Sequence, residues 1–131
     1  WKIGDFMLVE KFIDFSFITS NIPEHYVLET PISNNLNIHK GSYVYTIGPT
    51  YETKAEINEI IKVGGDVVGM STFPEYLMCK KLNINPIVIS CLTNYGAGLV
   101  KKKIKHEDVL LNANRFRDNF NNLIIKIIRN T

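Results

Sequence analysis

The 131-residue chain has little of what marks several large protein classes. It carries only two cysteines, Cys79 and Cys91, both inside apolar segments and at no metal-ligand spacing. They read as small buried hydrophobes rather than a disulfide or a metal site, which suits a reducing cytosol. No run of about 18 apolar residues and no signal-peptide pattern is present, so nothing argues for a membrane partner or export, and the expectation is cytoplasmic. Charge of one sign is also lacking: a formal net charge of +2 falls far short of the basic stripe that a nucleic-acid partner requires. There is no internal repeat, no low-complexity tract and no initiator methionine, the chain opening on Trp1. The expectations are a small-molecule partner and one compact unit over residues 1–131, taken from inside a longer chain.

What is present is organised around residues 47 to 75. Thr53 followed by Glu56 reads as a capping box, so a helix of about three turns starts near Lys54. Ala55, Ile57, Ile60 and Ile61 form its apolar face, and Gly64 ends it. Asp66 to Gly69 reads as a short buried strand. Thr72 and Glu75 repeat the capping pattern, with Pro74 in the first turn of a second helix. Upstream, residues 3 to 10 read as a strand after the turn signal of Gly4 and Asp5, and Ser42 to Ile47 as another. Phe12, Ile13, Phe15, Phe17 and Ile18 are apolar without clean period. Residues 19 to 40, rich in Asn, Ser, Pro and Thr, read as a surface excursion holding His25 and His39. Downstream, IVISCL reads as a strand covered on both faces and KKKIKH as a solvated loop. Val109, Ala113, Phe116, Phe120, Leu123 and Ile127 form the stripe of one amphipathic closing helix. Strands alternating with helices make this an α/β chain with a mostly parallel mixed sheet.

Polar groups follow the strand ends in this topology: Tyr51 with Glu52, Met70 with Ser71, Thr93 with Asn94, and His106 beyond a glycine-containing loop. Open α/β sheets bind ligands at such junctions. A carboxylate, a carboxamide, a hydroxyl and an aromatic and thioether surface together suit a flat heterocycle such as a nucleobase. Each residue also has an ordinary explanation. Glu52 suits a helix N-terminus, Ser71 a cap, Met70 the core, Thr93 and Asn94 loop backbone, and His106 an exposed first turn.

Three blocks go further. GPTYET at 48 to 53, GGDVVGMSTFPE at 64 to 75 and LTNYGAG at 92 to 98 resemble, in order and approximate spacing, the C-terminal half of the trimeric purine nucleoside phosphorylases. The methylthioadenosine phosphorylases belong to the same family. The resemblance is strongest over residues 41 to 99 and implies an incomplete nucleoside phosphorylase fold. It also implies reversible phosphorolysis of a purine (deoxy)ribonucleoside, with inorganic phosphate as co-substrate and no metal or organic cofactor. Carried over residue by residue, it makes Asn94 catalytic, donating to N7 and O6 of the departing base, and Glu52 the acceptor of the purine N1–H. Tyr51, Val68, Gly69, Met70 and Thr93 complete the purine site; Tyr43, Met70 and His106 face the ribose; Ser71 holds phosphate. In this family an Asn at position 94 accompanies 6-oxopurines and an Asp 6-aminopurines, so Asn94 argues against the methylthioadenosine-type alternative.

The family's N-terminal half, with its Gly-rich phosphate loop and phosphate-binding Arg and His, has no counterpart in this sequence. The resemblance therefore makes the chain the C-terminal part of a phosphorylase domain, inactive alone and homotrimeric in the complete protein. The stretch 11–40 is shorter than its family counterpart, which serves the trimer interface. The other reading is a non-catalytic remnant or split half that acts as a binding or assembly subunit.

Overall fold

The computed structural model describes residues 1–16, 23–28, 38–101 and 105–130. Strand β1 (Phe6–Asp14) is the hub of a five-stranded mixed sheet. It runs parallel to β3 (His39–Tyr45) over seven residue pairs, and β3 runs parallel to β4 (Val67–Gly69) over three. Strands β2 (Glu24–Val27) and β5 (Ile89–Cys91) pair antiparallel with β1 over four and three residues. Helices α1 (Lys54–Lys62), α2 (Phe73–Lys81), α3 (His106–Arg115) and α4 (Arg117–Asn130) complete the chain, giving the α/β class expected.

Of the apolar residues without a clean period, Phe12 and Ile13 belong to β1, which runs beyond the 3–10 segment read as a strand; Phe15 follows it, and Phe17 and Ile18 lie outside the described residues. Met7, Leu8, Val9, Phe12 and Ile13 are all at most 1% exposed, because both faces of this strand are covered. The β1–β3 register shifts between Val9 and Lys11, so a bulge at Glu10 resets the alternation. Phe12 thereby joins Met7 and Val9 in a core with Tyr43, Phe73 and Tyr76. Ile13 instead joins Val44, Ile57 and Ile60. The Phe12 ring lies 4.9 to 5.3 Å from those of Tyr43, Phe73 and Tyr76. Each such side chain fully buried contributes about 1.5–3 kcal/mol.

Helix α1 forms as its local signals dictate. Thr53 Oγ1 accepts from the Glu56 amide, and the Glu56 carboxylate accepts from the Thr53 amide at 2.7 Å. At the other end Gly64, at φ 84°, lets Gly64 N donate to Ile61 O and Gly65 N to Ile60 O, the paired bonds of a Schellman ending. The buried face is narrower than expected: Ile57 and Ile60 are buried, whereas Ala55 and Ile61 face solvent.

Other expectations are corrected. Thr72 does not repeat the capping box, because its φ of 75° carries its side chain away from the helix amides and it makes no cap bond. Phe73 N instead donates to Ser71 O at 2.8 Å, a γ-turn centred on Thr72. The closing helix is two helices, broken at Phe116 (φ −99°, ψ 6°). There the Phe116 ring lies over Gly4, where an added Cβ would stand 2.4 Å from it. Of the expected stripe, Ile127 is buried and Ala113 exposed. Strand β5 spans only three residues of IVISCL; it and β4 are half-buried, as are both cysteines, which are free thiols.

The excursion contains β2 and the start of β3. His39 there pairs with Asp5 at 2.9 Å, with the Trp1 ring stacked on it at 4.5 Å. Residues 17–22 and 29–37, and 102–104 of the basic run, lie outside the described residues. Among the described residues no helix is long and apolar enough to cross a membrane.

Candidate functional site

Parallel pairing of β3 and β4 puts Tyr45 opposite Gly69, so the two strands end side by side. The loop after β3, carrying Tyr51 and Glu52, therefore stands beside the turn after β4, carrying Met70 and Ser71. Strand β5 runs antiparallel to β1, yet the loop after it, with Thr93 and Asn94, borders the same space. All ten residues expected at a site border one cleft of about 540 Å³.

Tyr43 is 6% exposed and forms part of the cleft floor. Its hydroxyl donates to Ser71 O at 3.2 Å. Burial pushes this phenol above its ordinary value, with the Ser71 contacts opposing, so Tyr43 is a proton donor at neutral pH. Gly69 lies against the same ring: a Cβ there would stand 2.1 Å from the Tyr43 oxygen. Val68 and Met70 are half-buried beside it, and Ser71 is exposed, its Oγ 3.3 Å from Thr72 Oγ1. Thr72 holds a β-branched side chain at positive φ, a conformation that costs on the order of 1–3 kcal/mol and is typical of functional turns.

On the opposite wall Thr93 Oγ1 donates to Asn94 Oδ1 at 2.8 Å, and Asn94 Nδ2 donates to Tyr95 O at 3.3 Å. The Tyr95 carbonyl can only accept and so fixes the amide nitrogen toward itself, while the Thr93 hydroxyl, able to donate or accept, meets the oxygen. One Nδ2 hydrogen is left for a ligand acceptor. Across the cleft Glu52, half-buried, accepts from Thr46 Oγ1 at 2.7 Å. Tyr51 and His106 are exposed at the mouth, where the Tyr51 hydroxyl and His106 Nδ1 are 3.1 Å apart. This bond joins the loop after β3 to the first residue of α3.

Sequence reasoning missed Thr46, Thr72 and Asn112, whose Nδ2 donates to Thr93 O at 2.7 Å. Thr46 was the most accessible of these, being a polar residue just before the Gly-Pro turn. Asn112 left no signal, since its partner is 19 residues away. Burial raises the Cys91 thiol, which also borders the cleft, above its ordinary value and keeps it protonated. No group of three or more His, Cys, Asp or Glu among the described residues is placed to hold a metal ion.

The phosphorylase superfamily matches residues 1–129. Purine nucleoside phosphorylase 1 of Geobacillus stearothermophilus is 37% identical over 95 residues, covering 72% of this chain and 35% of that protein. The probable 6-oxopurine nucleoside phosphorylase of Moorella thermoacetica is 31% identical, covering 98% and 58%. Among solved structures, Schistosoma mansoni purine nucleoside phosphorylase in complex with inosine has a TM-score of 0.79 at 26% identity, covering 99% of this chain and 56% of that one. The chain thus spans between about a third and three fifths of the length of these relatives. Matched over almost its whole length, the chain belongs to the phosphorylase superfamily.

Proposed function

We propose that this chain carries the base- and sugar-binding part of a 6-oxopurine nucleoside phosphorylase. In the complete protein it would cleave inosine- or guanosine-type nucleosides to the free base and pentose 1-phosphate. The observation that carries this reading is the orientation of Asn94. With Nδ2 bonded to the acceptor-only Tyr95 carbonyl and Oδ1 met by Thr93, the amide presents its second N–H as a donor, which complements a purine with oxygen at position 6 and an unprotonated N7. It mismatches an exocyclic amine.

As the C1′–N9 bond breaks, the purine takes the bonding pair, and a phosphate oxygen forms the new bond to C1′. Negative charge gathers on N7 and O6. A donor fixed there stabilises the transition state more than the ground state, by about 3–4 kcal/mol for one well-placed group. Glu52 accepts the N1–H and holds the ring, and Tyr51 stacks on it. Val68, Gly69, Met70 and Thr93 shape the purine wall, Tyr43, Met70 and His106 serve the ribose, and Ser71 contributes to phosphate binding. One hydroxyl holds a dianion poorly, so the remaining phosphate ligands belong to the rest of the protein. The reading includes phosphate as the only co-substrate, no cofactor, a cytoplasmic location and a homotrimeric complete protein. The names of the Geobacillus and Moorella relatives and the inosine-bound Schistosoma structure support the substrate class.

The test is phosphate-dependent release of hypoxanthine from inosine, assayed on this chain and on the same chain extended upstream to its natural start. Activity only in the extended form is expected. Activity in neither would overturn the reading in favour of a non-catalytic binding or assembly subunit.

A further inference from the structure

We infer that Thr46 is a positioning residue for Glu52 and, through it, a discriminator between 6-oxopurines that present one N–H donor and those that present two. The inference rests on the purine reading of the site. Glu52 borders two spaces: the 540 Å³ cleft, and behind it a hollow of about 260 Å³ also bordered by Thr46, Phe15 and Ser16. Thr46 borders the hollow and is absent from the cleft lining, so it acts on Glu52 from behind. Its backbone is part of the sheet, since Thr46 N donates to Gly69 O at 3.1 Å just past the end of β3. Its hydroxyl donates to Glu52 Oε1 at 2.7 Å, a short, charge-assisted bond. A carboxylate on a loop, with three side-chain torsions to order, is thereby tied to the sheet.

This tie divides the work of the two carboxylate oxygens. Oε1 is engaged by Thr46 and Oε2 is left for a ligand. Hypoxanthine offers one donor on that edge, N1–H, and depends on Thr46 to orient the acceptor. Guanine offers N1–H and the 2-amino group side by side. It can align a loose carboxylate by itself, and it must share Oε1 with Thr46 to use both donors. Removing the Thr46 hydroxyl therefore harms inosine more than guanosine.

The experiment compares Thr46→Val, which keeps the shape and loses the donor, with Thr46→Ser, which keeps the donor, in the protein extended to its natural start. Expected for Thr46→Val is a rise in KM for inosine of about five- to tenfold, the net scale of one intramolecular hydrogen bond. The rise for guanosine should stay under about twofold and kcat should change little, while Thr46→Ser stays near wild type. Binding of free hypoxanthine and guanine by calorimetry should show the same split. An inosine KM unchanged in Thr46→Val, or equal losses for both nucleosides not rescued by Ser, overturns the inference while wild-type turnover leaves the purine reading standing. If Thr46→Val does not fold, Thr46→Ala against Thr46→Ser gives the same contrast with less bulk. Wild-type protein that neither turns over nucleosides nor binds either base overturns both.

Discussion

Thr93 and Asn94, neighbours in sequence, hold one another in place: Thr93 Oγ1 donates to Asn94 Oδ1 at 2.8 Å while the Thr93 carbonyl accepts from Asn112 of α3 at 2.7 Å. Helix α3 thus braces the residue proposed to receive the leaving group's charge through a single intermediate residue, Thr93.

That arrangement predicts an asymmetry in mutant kinetics. In the complete protein Asn94→Ala should lower kcat by about 10²–10³ while changing phosphate binding by less than about threefold, because the donor acts on the leaving purine. Thr93→Val should cost on the order of tenfold by removing the hydroxyl that holds Asn94 Oδ1 in place, and should cost almost nothing further in an Asn94→Ala background. Steady-state kinetics on the four proteins checks this. Equal losses in turnover and phosphate affinity would count against the leaving-group role.

Gly69 predicts a steric effect. An alanine Cβ would stand 2.1 Å from the Tyr43 oxygen, so the buried ring has to move and its bond to Ser71 O is lost. Gly69→Ala should destabilise the fold by about 1–3 kcal/mol, the usual scale of overpacking. Adding Tyr43→Phe, which removes the clashing oxygen, should restore part of the loss. Urea unfolding midpoints of the single and double variants decide the matter.

The cap of α1 predicts a pH dependence. Bonds from the Thr53 amide, and then from the Thr53 hydroxyl, hold the Glu56 carboxyl below its ordinary 4.5. A carboxyl lowered on folding stabilises the native state above its unfolded value and ceases to do so as pH falls through its folded value. Thr53→Ala should cost about 1 kcal/mol at neutral pH through loss of the N-cap bond. The gap between wild type and variant should narrow once the pH drops below 4.5 and Glu56 takes up its proton. Thermal unfolding of both proteins from pH 7 to 3 measures it.

Local chemistry alone was enough for some of this molecule. Helix α1 starts and ends where Thr53, Glu56 and Gly64 place it, because a capping box and a Schellman ending involve partners within five residues. Ten of the residues that border the cleft were also legible in the sequence: apart from Tyr43 inside β3, each polar one follows a strand or opens a helix, and three sequence blocks link eight of the ten to one family. Their individual roles stand as proposals.

Tertiary packing decided the rest. Phe12 and Ile13 join β1 because covered faces and a bulge at Glu10 erase the alternation by which a strand is read. Thr72 has the residue types of a cap around it, but the tight turn from β4 into α2 sets its backbone first. The continuous stripe from Val109 to Ile127 breaks at Phe116, the residue whose ring seats over Gly4, more than a hundred residues earlier. Thr46 gains its importance only from standing behind Glu52. Bonds between near neighbours are encoded in short words that can be read in place, whereas a contact between distant segments exists only once the chain has closed and the two surfaces meet.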